Sequence, residues 1–154
     1  MNIKSQRFGA IDVADDQVIN FAEGIIGFPE EKSFVLIPHN SAGFLAWLQS
    51  AKTPAVALPV VSAHAFGGRY PDVDVSDIAN AHGLGGPSED VALMVVLCAP
   101  HNSPATVNLL APILVNVATR RGAQVILEGS SFSTRELFVR EQELDASKAQ
   151  AAAE

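Results

Sequence analysis

Turn-forming residues interrupt the first 70 residues at intervals of about ten, a spacing that leaves no room for long helices and points to short strands. The interruptions are Asp15-Asp16, Gly24 with Gly27-Phe28-Pro29, the stretch from Pro38 to Gly43, Thr53-Pro54 and Gly67-Gly68. Between them lie apolar runs at residues 3–13 (alternating unevenly around Gly9), 18–21, 34–37, 45–48 and 56–61. The expectation is an all-β domain, mostly antiparallel. With 48% apolar and 18% charged residues the chain has enough material for a core, which excludes disorder for the body.

The second half adds one short helix. Ser76 or Asp77 can cap a turn or two through His82, and Gly83 is placed to end it. Glycines 83, 85 and 86 with Pro87 then form a connector. Residues 91–98 are apolar on both parities, as in a strand buried on both faces, so Leu93, Val95 and Leu97 are expected in the core and Cys98 as a buried structural thiol. Residues 106–110 and 113–118 read as strands, with Pro112 demanding an edge or a bulge. Arg120-Arg121-Gly122 reads as a hairpin connection with Gly122 at a positive-φ position, leading into a strand over 123–127. No stretch is long enough for an interdomain linker, so one domain is expected over residues 1–135. The polar, Ala-rich segment 136–154 is expected to be a frayed or disordered tail.

No catalytic or metal site assembles from the sequence. The single cysteine permits neither an internal disulfide nor a cysteine-based zinc site, and His39, His64, His82 and His101 are 25, 18 and 19 residues apart, without paired ligand spacing. Gly129-Ser130-Ser131-Phe132-Ser133 has no glycine after its serine, so it is a turn and not a nucleophile elbow. The glycines near 85 lack a phosphate-binding lysine, and Glu89-Asp90 would repel phosphate. The expectation is no catalytic residue, no cofactor and no metal. Without a long apolar stretch or a leader-like N-terminus, a cytoplasmic chain that contacts no membrane is expected.

Ten Lys and Arg against 17 Asp and Glu give a formal charge of −7, which disfavours direct nucleic-acid binding. From Tyr70 to Thr119 there are five acids (Asp72, Asp74, Asp77, Glu89 and Asp90) and no Lys or Arg. That stretch is either a solvated face or a docking face for a basic partner. Asn108 and Asn116 sit in apolar surroundings and must satisfy their amides, either on backbone groups freed around Pro112 or on a partner. Phe44, Trp47 and Leu48 read as core, with any exposed member marking a protein-binding patch.

Several strings occur together in a specific order: Phe21-Ala22-Glu23-Gly24-Ile25-Ile26-Gly27-Phe28-Pro29-Glu30-Glu31, Phe34-Val35-Leu36, Leu48-Gln49-Ser50, Glu89-Asp90-Val91-Ala92, the segment from Asn108 to Asn116, and Gly122-Ala123-Gln124-Val125-Ile126-Leu127. Taken together they resemble the FliW flagellar assembly factors. Ile26 stands where that family usually has proline, and the residues after about 140 extend past its usual end.

The resemblance implies a compact barrel-like β-domain without catalysis that binds cytoplasmic flagellin. It also implies binding to the CsrA-type RNA-binding translational regulator, which relieves repression of flagellin mRNA. Gly24, Gly27, Phe28, Asn108, Pro112, Asn116 and Gly122 are then structural motif positions. For the regulator, the acidic stretch nominates Asp72, Asp74, Glu89 and Asp90, with His101, Asn102 and Ser103 alongside. For flagellin, Ile126 and Phe132 are candidates, with the core as their other reading. Two alternatives stand beside this: a flagellin chaperone without a regulator partner, and a small ligand-binding or hydrolytic barrel, against which a filled interior would argue.

Overall fold

The structure is a computed structural model that describes residues 1–39, 44–63, 75–85, 90–100, 102–127 and 132–138. Among these the N-terminal run divides into a hairpin of β1 (Asn2–Ser5) and β2 (Gly9–Asp12). The break comes from Ser5, whose hydroxyl accepts the amides of Arg7 and Phe8 at 3.1 and 3.0 Å and turns the chain. A short 3-10 turn at Asp15–Gln17 leads into β3 (Ile19–Phe21), β4 (Ser33–Pro38), β5 (Leu45–Ser50) and β6 (Ala57–Ser62). Helix α1 (Val75–Ala81) follows, then β7 (Val91–Cys98), β8 (Thr106–Val107), β9 (Ile113–Asn116), β10 (Arg121–Gln124) and β11 (Glu136–Leu137). The last strand lies just past residue 135, where the sequence sets the end of the domain. Residues 139–154 of the expected tail are outside the described residues.

Seven strands close into a barrel in the order β7, β6, β5, β4, β3, β10, β9, with β9 returning to β7. Every pairing in the ring is antiparallel except β3 with β10, which aligns Asn20 with Arg121 and Phe21 with Gly122. Strand β7 makes closure possible by its length. It pairs with β6 along one side and, along the other, with β9 through residues 91–94 and with β8 through residues 97–98. Strand β11 adds to β8 as an outer arm.

The barrel interior is occupied by side chains. Ile19 and Phe21 of β3, Phe34 of β4, Leu48 of β5, Val60 of β6, Met94 of β7, and Ile113 and Val115 of β9 form one cluster. On β10 the corresponding position is Gly122, because the Phe21 ring already fills that space: a Cβ there would lie 2.5 Å from a ring carbon. A second cluster lies outside, where Val61, Val95, Val107 and Leu109 pack with Phe44, Leu97, Phe132 and Phe138. A third forms where Ala79 and Leu84 of the helical segment cover Leu114 and Val125, with Leu93 alongside. Strand β7 is therefore apolar on both parities because both of its faces are covered. Met94 points into the barrel, while Val95 is fully buried outside it and Leu93 and Leu97 are half-buried there.

Three local expectations need correction. The β9–β10 hairpin turns at residues 117–120, and the positive φ belongs to Arg120 at 57°, not to Gly122. Asn116 imposes this by accepting the amides of Ala118 and Thr119 on its Oδ1 at 3.0 and 3.1 Å. The strand expected over 123–127 is instead Arg121–Gln124, although Val125 and Leu127 still donate to the Pro112 and Leu110 carbonyls. The strand expected over 106–110 stops at Val107, since Asn108 Oδ1 accepts the amides of Leu110 and Ala111, both at 3.1 Å. That turn delivers Pro112 to the position just before β9, where its missing N–H costs no ladder bond.

Candidate protein-docking surface

One end of the barrel gathers the ends of β3, β5, β7 and β10 and the starts of β4, β6 and β9, as the registers require. The β3–β4 connection forms a tight turn there. Phe28 N–H donates to the Ile25 carbonyl at 2.7 Å and Ile25 N–H to the Phe28 carbonyl at 3.2 Å. Gly27, with φ 89°, occupies the third position, where a type II turn needs a positive φ. Gly24 precedes this turn, buried, with its N–H on the Phe21 carbonyl at 3.0 Å. Ile26 takes the second position, the one that favours proline. Its amide is used: it donates to Gln124 Oε1 at 2.8 Å, while Gln124 Nε2 donates to the Ala111 carbonyl at 3.0 Å. One side chain thus ties together the turn, β10 and the segment before β9.

The turn raises Ile26 to 54% exposure, with Phe28 beside it at 38%. Ile25 and Ile26 wall two depressions. One, of about 620 Å³, is completed by Leu58, Val96, Ser103 and Leu137. The other, of about 570 Å³, is bounded by Glu23, His82, Val125 and Ile126. Ile126 and Leu137 are 53% and 59% exposed, so with Ile26 and Phe28 four large apolar side chains stand in water around one turn. Such a grouping marks a protein-interaction surface more often than a bare stretch of fold. Ile126 is a flagellin candidate from the sequence, whereas Ile26 and Leu137 were missed. The available signal for Ile26 was an apolar residue at a glycine-flanked turn position.

Phe132 does not join this surface. It is half-buried in the cluster outside β6, β7 and β8, its core reading. Among the regulator candidates, Asp72, Asp74, Glu89 and His101 lie outside the described residues. Asp90 is half-buried at the start of β7, where its carbonyl accepts the Val117 amide at 2.8 Å. Asn102 and Ser103 are exposed beyond the other end of that strand. Eight extended residues separate the two places by about 25 Å, so the structure does not bring Asp90 together with this loop. Cys98 also departs from expectation: it is exposed, because β7 has by then outrun its pairing with β6, and it borders the larger depression.

The remaining motif polar groups hold the scaffold. Buried Gln49 accepts the Ser5 hydroxyl at 2.8 Å and so docks the N-terminal hairpin on the barrel. Ser50 and Thr53 donate their hydroxyls to Glu31 at 2.5 and 2.8 Å, fixing the β5–β6 turn to the β3–β4 connection. Asn116 Nδ2 donates to the carbonyls of Leu84 and Gly85 at 3.0 and 3.3 Å. Trp47 is half-buried beneath the hairpin, with the Arg7 guanidinium 4.0 Å from its ring centroid and Phe8 edge-on at 6.2 Å. Among the described residues no three of His, Cys, Asp and Glu gather as metal ligands would, and no helix is long and apolar enough to cross a membrane.

Comparison with known proteins places this geometry. The family model described as FliW protein matches residues 2–138. The flagellar assembly factor FliW of Heliobacterium modesticaldum is 38% identical over 138 residues, covering 88% of each chain. That of Pseudothermotoga lettingae is 36% identical over 141 residues, covering 88% of this chain and 86% of its own. A crystal structure of the flagellar assembly factor FliW superposes with a TM-score of 0.79 at 31% identity, covering 92% of this chain and 99% of the other.

Proposed function

The chain belongs to the FliW family of flagellar assembly factors, and from that membership we propose that it binds flagellin in the cytoplasm and acts by recognition rather than catalysis. By also binding a CsrA-type translational regulator, it keeps that regulator from repressing flagellin mRNA. Flagellin bound to the chain leaves the regulator free, and secretion of flagellin reverses this. The chain itself contacts neither nucleic acid nor membrane.

The observation that carries the reading is the set of exposed Ile26, Ile126 and Leu137 around one turn on a barrel whose interior is filled. A filled interior directs binding to the outside. For the regulator, the acidic stretch supplies attraction to an RNA-binding protein's basic surface, screened beyond about 8 Å at physiological salt. The experiment is a pull-down from cytosol with the recombinant chain. Recovery of both flagellin and CsrA supports the switch. Flagellin alone reduces it to a chaperone without a regulator partner, and recovery of neither overturns the proposal.

A further inference from the structure

The inward face of the barrel continues past the ring onto the outer arm. On β7, Val96 lies two residues beyond inward Met94 and packs against the interior cluster, as Leu58 of β6 does. Cys98 follows on the same face. It stands opposite Thr106 of β8, and Thr106 stands opposite Leu137 of β11. Side chains paired across strands share a face, so the register sets Val96, Cys98, Thr106 and Leu137 on one surface. That surface is the floor of the depression of about 620 Å³, with Ile25 and Ile26 as its far wall.

Arg135 is the single charged side chain lining this groove, and among the described residues it has no acidic partner. Strand β11 leaves the barrel at the same place. The Phe138 amide donates to the Ala105 carbonyl at 3.0 Å, next to Pro104 and Ser103, which also line the groove. Sixteen residues follow, Val139 to Glu154, outside the described residues and past residue 138, where the family match ends. Within them Glu141-Gln142-Glu143-Leu144-Asp145 holds three acids, the segment's one leucine and no cation. It therefore offers an apolar side chain to the floor and carboxylates to Arg135. The reach suffices. Leu58 sits on β6, three strand spacings or about 14 Å from β11, and the six residues from Phe138 to Leu144 extend to about 20 Å.

We propose that this segment folds back over the groove, with Leu144 against Leu58 and Val96 and its acids toward Arg135, and so competes with the partner for the same floor. The competition rests on the reading of this surface as the flagellin-binding face, whereas the occupancy does not. A tethered segment acts at an effective concentration on the order of 1 mM, so even a weak contact fills the groove for much of the time and must be displaced.

The full chain is compared with Leu144→Ser and with Ala152→Ser, a control in the same segment, after matching urea midpoints show that the barrel is unchanged. The methyl resonances of Ile26, Leu58 and Val96 are followed, with buried Val61 as the reference. Leu144→Ser should move the first three and leave Val61 in place, and Ala152→Ser should move none. Shifts in neither variant, or equal shifts in both, overturn the proposal. Parent resonances that move with protein concentration overturn it too, because the covering segment then belongs to a second copy. Purified flagellin should bind Leu144→Ser about threefold more tightly or better, since displacement no longer opposes it. Unchanged binding overturns the competition, and weaker binding overturns it by making the segment part of the flagellin contact. If flagellin binds no form of the chain, the methyl shifts still decide the occupancy, and only the flagellin reading is refuted.

Discussion

Gln124 holds Ile26 from the neighbouring strand β10, its Oε1 accepting the Ile26 amide at 2.8 Å while its Nε2 donates to the Ala111 carbonyl at 3.0 Å. Isoleucine at position 26 thus has a role that proline could not take. A proline would stiffen the turn through its fixed φ but would remove the donor that Gln124 receives.

A double-mutant cycle exposes this exchange. Gln124→Ala should cost about 1–3 kcal/mol in the parent, since it strips the Ile26 amide and the Ala111 carbonyl of a partner. The same change in an Ile26→Pro background should cost less, because one of those groups is then gone. Equal costs from urea denaturation in both backgrounds would mean that the bond contributes nothing.

Gly122→Ala should destabilise the barrel by about 1–3 kcal/mol, because its Cβ would sit 2.5 Å from the Phe21 ring. Adding Phe21→Leu should recover part of the loss by opening room. A Gly122→Ala chain with an unchanged urea midpoint would contradict the close approach.

The two faces of β7 and its neighbours should answer truncation differently. Leu48→Ala, inside the barrel at full burial, should cost about 2–5 kcal/mol. Leu93→Ala, half-buried under α1, should cost less than Leu48→Ala. The reverse order in thermal or urea unfolding would place the principal core outside the ring.

Ile126→Arg should leave the fold intact, as its side chain is 53% exposed, and should weaken flagellin binding. A folded variant that binds flagellin as tightly as the parent would remove Ile126 from the docking surface. Ile26→Arg and Leu137→Arg extend the same measurement across the turn and the outer arm.

For the regulator, single acids at a rim contribute about 0–1 kcal/mol each, so they are tested together. Asp72→Asn, Asp74→Asn, Glu89→Gln and Asp90→Asn combined should slow association with CsrA and flatten its salt dependence while flagellin binding persists. Unchanged association kinetics at low salt would leave the acidic stretch as a solvated face.

Much of the architecture was legible because it depends on local chemistry. Breakers at regular spacing announce short strands, Gly83 follows the end of the brief helix, which starts at Val75 and so holds Ser76 and Asp77 inside its first turn and not at its cap, and a run apolar on both parities announces a strand covered on both sides. The polar positions of the motifs were harder to read. Asn108 and Asn116 could be recognised as needing partners, and the bonds of Asn108 lie around Pro112 as one reading held, but those of Asn116 to Leu84 and Gly85 cross 32 and 31 positions in sequence.

The sequence by itself determined that the chain is built of short strands with one brief helix, and its motifs carried the resemblance to its family, because turn propensity and side-chain alternation act between near neighbours. Only the tertiary structure decided which strands close the ring, that Gly122 is glycine for the sake of Phe21, and that Ile26, Ile126 and Leu137 converge while Asp90 and Ser103 part. These are relations between residues up to about a hundred positions apart. Barrel closure sets them through strand register, in which a shift of one residue exchanges inside for outside, and no local pattern carries that information.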